Sequence, residues 1–159
     1  MITAVDTNII LDILIPGEPF GESSKALLYR HVSKGKLIIC EIVFAELAAR
    51  FPSEEELASF LADTKINLVY SNEKSLAMAG SRWAEYARKS AKNRFSCGQC
   101  GHAFEATCPK CKAVLTKRLH VLADFLIGAH ALVRADCILS RDLGVYKTYF
   151  GDLKVIDSL

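Results

Sequence analysis

The chain has 159 residues, of which 51% are hydrophobic and 24% charged, and its formal net charge is +2. This length allows one hydrophobic core with a small insert and excludes two full domains. The opening stretch MITAVDTNIILDILIP lacks a basic leader and is interrupted by two aspartates, so it suits neither a signal peptide nor a membrane span. We therefore expect a cytoplasmic protein.

Short runs rich in β-branched residues alternate with longer helical patterns. The predicted strands are residues 2–5, 37–40, 66–70, 137–140 and 153–156. The predicted helices are residues 9–14, 21–34, 41–51, 54–64, 73–92, 119–135 and 141–151. Ser53 and Glu56 have the spacing of a capping box, and Asn72 or Ser71 caps the next helix. The alternation predicts a mostly parallel sheet with helices on both faces, whose ligands bind beyond the carboxyl ends of the strands.

One break in composition, at residues 93–118, separates residues 1–92 from residues 119–159 and contains two Cys-x-x-Cys pairs. The pairs are formed by Cys97, Cys100, Cys108 and Cys111. Four thiolates close a tetrahedron around Zn²⁺, so this spacing predicts a structural zinc ribbon inserted into the main domain. Iron on the same ligands and disulfides are the alternatives. His102 and His120 flank the cysteines, but four sulfurs already fill the coordination sphere.

The two remaining cysteines, Cys40 and Cys137, end or open apolar runs. We interpret both as reduced residues of the core.

The basic residues are concentrated near the insert. Residues 88–118 contain eight lysines and arginines against the single acid Glu105, which leaves the rest of the chain acidic. A basic arm beside an acidic body is typical of binding to a polyanion such as RNA. The candidate RNA-binding residues are Lys92, Arg94, Lys110, Lys112, Lys117, Arg118 and Arg141, with Phe95 and Phe104 available to stack bases. Alternatively, the insert is a solvated surface that braces a dimer or a partner protein.

Four acids lie in apolar settings near predicted strand ends or within apolar helices. They are Asp6, Glu46, Asp124 and Asp142. Taken singly, each acid is more often a helix cap or a surface ion-pair partner than a functional group. Taken together, buried carboxylates repel one another unless a cation meets them. Hard oxygen ligands without a nearby histidine suit Mg²⁺ or Mn²⁺ better than zinc.

The segments VDTNIILDIL, EIVFAEL, ADFLIGAHAL and LSRDLGVYKTYFGDLKVI contain these acids, and in this order they resemble a PIN-domain nuclease of the VapC type. The resemblance implies an α/β/α sandwich with a five-stranded parallel sheet and a catalytic cluster formed by the four acids. It also implies that Thr7, Asn8 and Ser140 support that cluster. The insert departs from the family pattern, in which this connection is short.

The resemblance further implies endonucleolytic cleavage of single-stranded RNA by metal-activated water, leaving a 5′-phosphate and a 3′-hydroxyl. A VapC-type toxin would pair with an antitoxin, and PIN relatives are commonly dimers. An RNA-processing factor that combines a PIN domain with a zinc ribbon is a second possibility. A non-catalytic scaffold for RNA or protein and a rubredoxin-like electron carrier are further alternatives.

Overall fold

Five short strands form one parallel sheet, and each corresponds to a strand predicted from the sequence. The computed structural model describes residues 1–90, 95–96, 103–113 and 122–158. The strands are β1 (Ile2–Val5), β2 (Lys36–Ile39), β3 (Ile66–Leu68), β4 (Phe95–Ser96), β5 (Ala103–Phe104), β6 (Cys137–Leu139) and β7 (Val155–Ile156). The sheet has the order β3-β2-β1-β6-β7 with every pair parallel, whereas β4 and β5 form a separate antiparallel pair.

Seven helices connect these strands in the described part of the chain. They are α1 (Thr7–Leu14), α2 (Gly21–Val32), α3 (Glu41–Ala48), α4 (Glu54–Asp63), α5 (Glu73–Ser90), α6 (Leu122–Arg134) and α7 (Leu143–Tyr149). Connections between parallel strands are right-handed, so α1 to α4, which step from β1 toward β3, lie on one face of the sheet. The connections that return toward β7 place α5, α6 and α7 on the other face. The predicted three-layer α/β fold is confirmed.

Helix starts follow the local chemistry that the sequence indicates. Ser53 caps α4, because its hydroxyl accepts a hydrogen bond from the backbone N–H of Glu56 at 3.2 Å. Asn72 acts likewise before α5, where its Oδ1 accepts from the backbone N–H of Ser75 at 2.9 Å. None of the described helices is both long and apolar enough to cross a bilayer.

The core lies on both faces of the sheet and includes the two cysteines predicted there. Cys40 and Cys137 are buried and carry free thiols. Burial raises the pKa of the Cys40 thiol to about 11, which keeps it protonated and unreactive. Between α6 and α7, Gly128 lies against the rings of Tyr146 and Phe150, and a Cβ there would come within 3.0 Å of both.

Candidate functional site

The four acids singled out in the sequence, although distant in the chain, line one open cavity of about 560 Å³. Asp6 follows β1 and caps α1, Glu46 lies in α3, Asp124 lies in the first turn of α6, and Asp142 caps α7. The cavity lies at the carboxyl edge of the sheet, where the chain leaves β1 and β6 in opposite directions. This topological switch point is where open α/β sheets bind ligands.

Asp6 is the most buried of these acids, with 5% of its surface exposed. Its Oδ2 accepts hydrogen bonds from Ser140 Oγ at 2.6 Å, Asn8 Nδ2 at 2.8 Å and the Tyr146 hydroxyl at 3.2 Å. Its Oδ1 accepts one, from the backbone N–H of Thr7 at 2.7 Å. Oδ2 is therefore saturated, and Oδ1 retains a lone pair for a ligand.

Ser140 joins β1, α1 and the turn after β6. Its hydroxyl donates to Asp6 and accepts from Asn8 Nδ2 at 3.1 Å and from the backbone N–H of Asp142 at 3.0 Å. One donated and two accepted hydrogen bonds use the full capacity of a hydroxyl. The buried serine thereby sets the distance between the strand end that carries Asp6 and the turn that carries Asp142.

The other three acids are held through one oxygen at most. Thr7 Oγ1 donates a hydrogen bond to Glu46 Oε2. Asp142 Oδ1 accepts from the backbone N–H groups of Gly144 at 2.9 Å and Val145 at 3.4 Å, so it caps α7. No hydrogen bond to Asp124 is found within the described ranges. Each carboxyl group thus keeps at least one oxygen uncommitted.

The carboxyl groups oppose one another's ionisation. Burial, and then the charges of Asp6, Asp142 and Glu46, raise the pKa of Asp124 from 3.8 to about 6. Burial also raises the pKa of Asp6, although the hydrogen bonds from Ser140, Thr7 and Tyr146 offset part of this effect. Negative charge is therefore concentrated here, and within the described residues no lysine or arginine forms an ion pair with any of the four acids.

This donor set fits a hard divalent cation. Carboxylate oxygens are the ligands that Mg²⁺ and Mn²⁺ prefer, and each of the four acids has at least one oxygen with a free lone pair. Among the described residues, no three His, Cys, Asp or Glu side chains already form a closed metal-binding group. Mutual repulsion holds ionised carboxylates apart, so a cation would have to draw these side chains inward.

Two lining or supporting residues were not expected from the sequence. Tyr146, fully buried, donates its hydroxyl to Asp6. It lies four residues after Asp142, so the helical spacing could have placed it beside the site, but an aromatic residue in an amphipathic helix indicates core packing first. Arg50 lines the cavity and is exposed. It lies in the turn that follows α3, four residues after Glu46.

Arg141, a candidate RNA contact in the sequence, points its guanidinium away from the solvent. Its Nε donates to Asp12 Oδ2 at 2.6 Å, and its Nη2 donates to Ser24 Oγ at 2.6 Å and to Ser23 Oγ at 3.0 Å. The guanidinium carbon lies 4.1 Å from the ring centroid of Phe20. Contact with a phosphate would require these interactions to break.

Half of the predicted thiolate site lies in the described part of the insert. The backbone N–H of Lys112 donates to Cys108 O at 2.9 Å, and the backbone N–H of Cys108 donates to Ala113 O at 2.8 Å. Lys112 has a φ of 61°, so the chain turns sharply just after Cys111. Hydrogen bonds from the backbone N–H groups of Cys111 and Lys110 lower the pKa of the Cys108 thiol. Such a turn stabilises a thiolate, the form that binds metal.

The remaining insert predictions fall outside the described residues. They concern Cys97, Cys100, His102, His120, Lys92, Arg94, Lys117 and Arg118. Of the predicted RNA contacts in the described part of the insert, Lys110 and Lys112 are exposed. Phe104 is 45% exposed and pairs in register with Phe95 across the antiparallel strands.

The fold and the site together define a class of protein, namely a parallel α/β domain with acidic side chains around its topological switch point. The family model described as "PIN domain" matches residues 3–151, so the chain belongs to the PIN domain family. PIN domains are generally nucleases, which agrees with an acidic site of this kind. A search of the curated proteins found no significant match to the chain.

Solved structures with the same fold include three complexes. The chain is 18% identical to one in VapBC2 from Rickettsia felis bound to a DNA fragment from their promoter, with a TM-score of 0.63 and 100% of both chains covered. It is 22% identical to one in VapBC-1 from nontypeable Haemophilus influenzae, with a TM-score of 0.60 and coverage of 99% and 98%. It is 18% identical to a chain in FitAB bound to an IR36 DNA fragment, with a TM-score of 0.56, and the match covers 98% of this chain and 94% of the other. At these identities the likeness concerns the fold.

Proposed function

We propose that the chain is a divalent-metal-dependent endoribonuclease that cleaves single-stranded RNA. The observation that carries this proposal is the convergence of Asp6, Glu46, Asp124 and Asp142, from four separate elements, on one cavity. Family membership supports the nuclease class, while the RNA substrate and the metal are our inference. A non-catalytic scaffold would not need four acids that converge on one cavity and whose burial and charges raise the pKa of Asp124.

The chain's own residues hold and orient the reacting groups. Asp6, Glu46, Asp124 and Asp142 would hold the cation through oxygen lone pairs that accept no hydrogen bond, while Thr7, Asn8 and Ser140 fix the carboxyl groups of Asp6 and Glu46. A bound Mg²⁺ or Mn²⁺ supplies a water of lowered pKa and neutralises charge on the scissile phosphate. The RNA 2′-hydroxyl is not required, so the expected products carry a 5′-phosphate and a 3′-hydroxyl.

Arg50 is the proposed phosphate contact at the mouth of the cavity. It is exposed, it lines the same cavity as the acids, and no ion pair to it is found in the described part of the chain. A guanidinium matches two phosphate oxygens with parallel hydrogen bonds. Arg50 would therefore hold the RNA backbone against a site whose own charge repels it.

The insert, residues 93–118, is proposed to be a zinc ribbon that interrupts a PIN domain formed by residues 1–92 and 119–159. The turn at Cys108 and Cys111, with its lowered Cys108 pKa, supports a thiolate metal site completed by Cys97 and Cys100. Iron on the same ligands is the alternative. The exposed Lys110 and Lys112 support an RNA-guiding role for the ribbon, against the alternative of bracing a dimer or a partner.

A toxin paired with an antitoxin is the favoured biological role. Solved structures of similar fold include VapBC and FitAB complexes, and two of these three contain DNA. An antitoxin and a second copy of the chain are therefore the proposed protein partners. An RNA-processing role has no comparable structural neighbour among these three and remains the second candidate.

Cleavage of an unstructured RNA by the purified full chain, with and without Mn²⁺, tests the nuclease proposal. Asp6→Asn and Asp124→Asn each remove one carboxylate charge with little change in shape, and we expect both to abolish cleavage. Asp63→Asn is the matched control, because Asp63 is exposed at the end of α4 and lies outside the cavity. End-group analysis of the products distinguishes a 3′-hydroxyl from a cyclic phosphate.

Equal cleavage by the parent chain, Asp6→Asn and Asp124→Asn would indicate a contaminating nuclease and contradict the proposal. Cleavage that continues in the presence of a chelator would contradict the metal requirement. Binding of RNA without cleavage under any divalent metal would favour the scaffold.

A further inference from the structure

Arg141, in the turn after β6, forms a partly buried ion pair with Asp12 of α1. The distance from Arg141 Nε to Asp12 Oδ2 is 2.6 Å, and the side chains are 21% and 12% exposed. Ser24, fully buried in α2, donates to the same Asp12 oxygen at 2.6 Å and accepts from Arg141 Nη2 at 2.6 Å. Charge, geometry and packing are thus satisfied together, as a partly buried ion pair requires.

The same residue also contacts the acidic site through its backbone. The backbone N–H of Arg141 donates to Asn8 Oδ1 at 3.1 Å. Because Oδ1 is occupied in this way, Asn8 must turn its Nδ2 toward Asp6 Oδ2, at 2.8 Å, and Ser140 Oγ, at 3.1 Å. The amide orientation that saturates one oxygen of Asp6 therefore depends on where the backbone of Arg141 lies.

Asn8 and Asp12 are one helical turn apart on α1, so they form two successive attachment points for the turn of residues 140–142. The first attachment is the hydrogen bond from the backbone N–H of Arg141 to Asn8. The second is the ion pair between the Arg141 side chain and Asp12. The turn itself carries Ser140 and the helix cap Asp142. A fixed turn therefore sets the spacing between Asp6 and Asp142 across the cavity.

We propose that Arg141 is a positioning residue for the acidic site, and that its ion pair with Asp12 holds Asn8, Ser140 and Asp142 in place for cation binding. This inference rests on the proposed metal-dependent function and deepens it. In the described structure the guanidinium is not a free RNA contact, since its donors are directed to Asp12, Ser23 and Ser24. Arg141 acts on the cation through the residues beside it and touches neither metal nor substrate.

The test measures Mn²⁺ affinity of the full chain by isothermal titration calorimetry and, separately, kcat and KM for cleavage of an unstructured RNA. The variants are Arg141→Met, Arg141→Lys, Asp12→Asn and the double variant Asp12→Asn/Arg141→Met. Arg30→Met, an exposed arginine on α2, is the control. Residues that orient metal ligands change metal affinity by roughly 10-fold to 100-fold when removed.

We expect Arg141→Met and Asp12→Asn each to weaken Mn²⁺ binding by about tenfold or more and to lower kcat, with little change in the KM for RNA. The double variant should resemble the single ones, because either change breaks the same pair. Arg141→Lys should recover part of the affinity, since lysine keeps the charge but lacks the planar fork. Arg30→Met should behave as the parent.

Three results separate this inference from its alternatives. Unchanged Mn²⁺ affinity in folded Arg141→Met and Asp12→Asn would overturn it, even if cleavage by the parent is confirmed. A raised KM with an unchanged kcat would identify Arg141 as an RNA contact and also overturn it. Absence of Mn²⁺ binding by the parent chain would overturn the proposed function and this inference together. If Arg141→Met does not fold, Asp12→Asn and Arg141→Lys decide the question.

Discussion

At the scale of single residues, the site depends on hydrogen bonds that reach Asp6 from four different side chains or backbone groups. Tyr146 provides the one that comes from α7, and its hydroxyl is buried. Burial and the nearby carboxylates, Asp6 first, raise the pKa of Tyr146, so the phenol stays protonated and donates. The tyrosine thus links the aromatic core directly to the acid that begins α1.

Tyr146→Phe removes this donor while keeping the ring. We expect the free energy of unfolding to fall by about 1–3 kcal/mol, because a buried carboxylate loses one of its hydrogen bonds. Chemical denaturation followed by circular dichroism measures the change. Tyr29→Phe is the control, since Tyr29 is 68% exposed. Equal stability of Tyr146→Phe and the parent would show that the Tyr146 hydroxyl does not stabilise Asp6.

The raised pKa of Asp124 predicts a pH dependence for the metal-free chain. Its folded pKa is about 6 against the ordinary aspartate value of 3.8, so the folded state binds more protons between about pH 4 and pH 6. Stability should therefore fall as the pH rises through this window. With a chelator present, we expect the contribution of Asp124 to make the Tm higher at pH 5 than at pH 7. Asp124→Asn cannot ionise and should lose that part of the difference; an identical pH profile for the variant would contradict the assignment.

Arg50→Gln tests the proposed phosphate contact. Loss of one charge-assisted hydrogen-bonding group should raise the KM for RNA roughly tenfold, equivalent to about 1.4 kcal/mol, with little change in kcat. Steady-state cleavage at two salt concentrations measures both constants. Arg30→Gln, which changes an exposed arginine on α2, is the matched control. A fall in kcat at unchanged KM would instead place Arg50 among the groups that stabilise the transition state.

At the scale of elements, the close approach of α6 and α7 is what brings Tyr146 to Asp6. Gly128 permits it, because a methyl group at this position would lie 3.0 Å from the rings of Tyr146 and Phe150. Gly128→Ala should cost about 1–3 kcal/mol of stability through overpacking. Gly80→Ala is the control, since a Cβ on that helical glycine meets nothing within 4 Å and alanine favours the helix by about 1 kcal/mol.

Thermal unfolding of both glycine variants, with and without Mn²⁺, provides the measurement. We expect opposite changes in Tm from the two substitutions, and weaker Mn²⁺ stabilisation of Gly128→Ala because Tyr146 is displaced. A Gly128→Ala variant as stable as the parent would mean that α7 adjusts without strain.

The elements could be predicted from the sequence because strand and helix periodicities alternate clearly. Asp6 and Asp142 were predictable as neighbours, since both follow strands that run in parallel. Strand lengths were not, because the apolar run of β3 continues beyond Leu68, where Val69 makes one further backbone hydrogen bond to Ile39. The roles of Tyr146 and Arg141 were hidden for a related reason: each depends on a partner more than a hundred residues away.

At the scale of the whole molecule, the predictions for the insert can be tested separately from those for the PIN domain. Elemental analysis of the purified chain should give one zinc per chain, and Cys108→Ser should lower that content. Replacing residues 95–115 by a Gly-Ser loop should weaken RNA binding and flatten its salt dependence, because the loop removes Lys110 and Lys112 from the proposed RNA-binding surface. If the purified chain instead contains iron and absorbs visible light, the metal of the ribbon is iron and not zinc. Unchanged RNA binding by the loop variant would favour a bracing role.

The pairing of β1 with β6 has a consequence for protein synthesis. Ser140, which positions Asp6, lies 134 residues later in the chain. During synthesis, Asp6 lacks its hydrogen bonds from Ser140 and Tyr146 until the segment that contains β6 and α7 has been made. The acidic cluster can therefore form only after β6 and α7 have been synthesised, so a nascent chain that stops before α7 cannot contain the complete cluster.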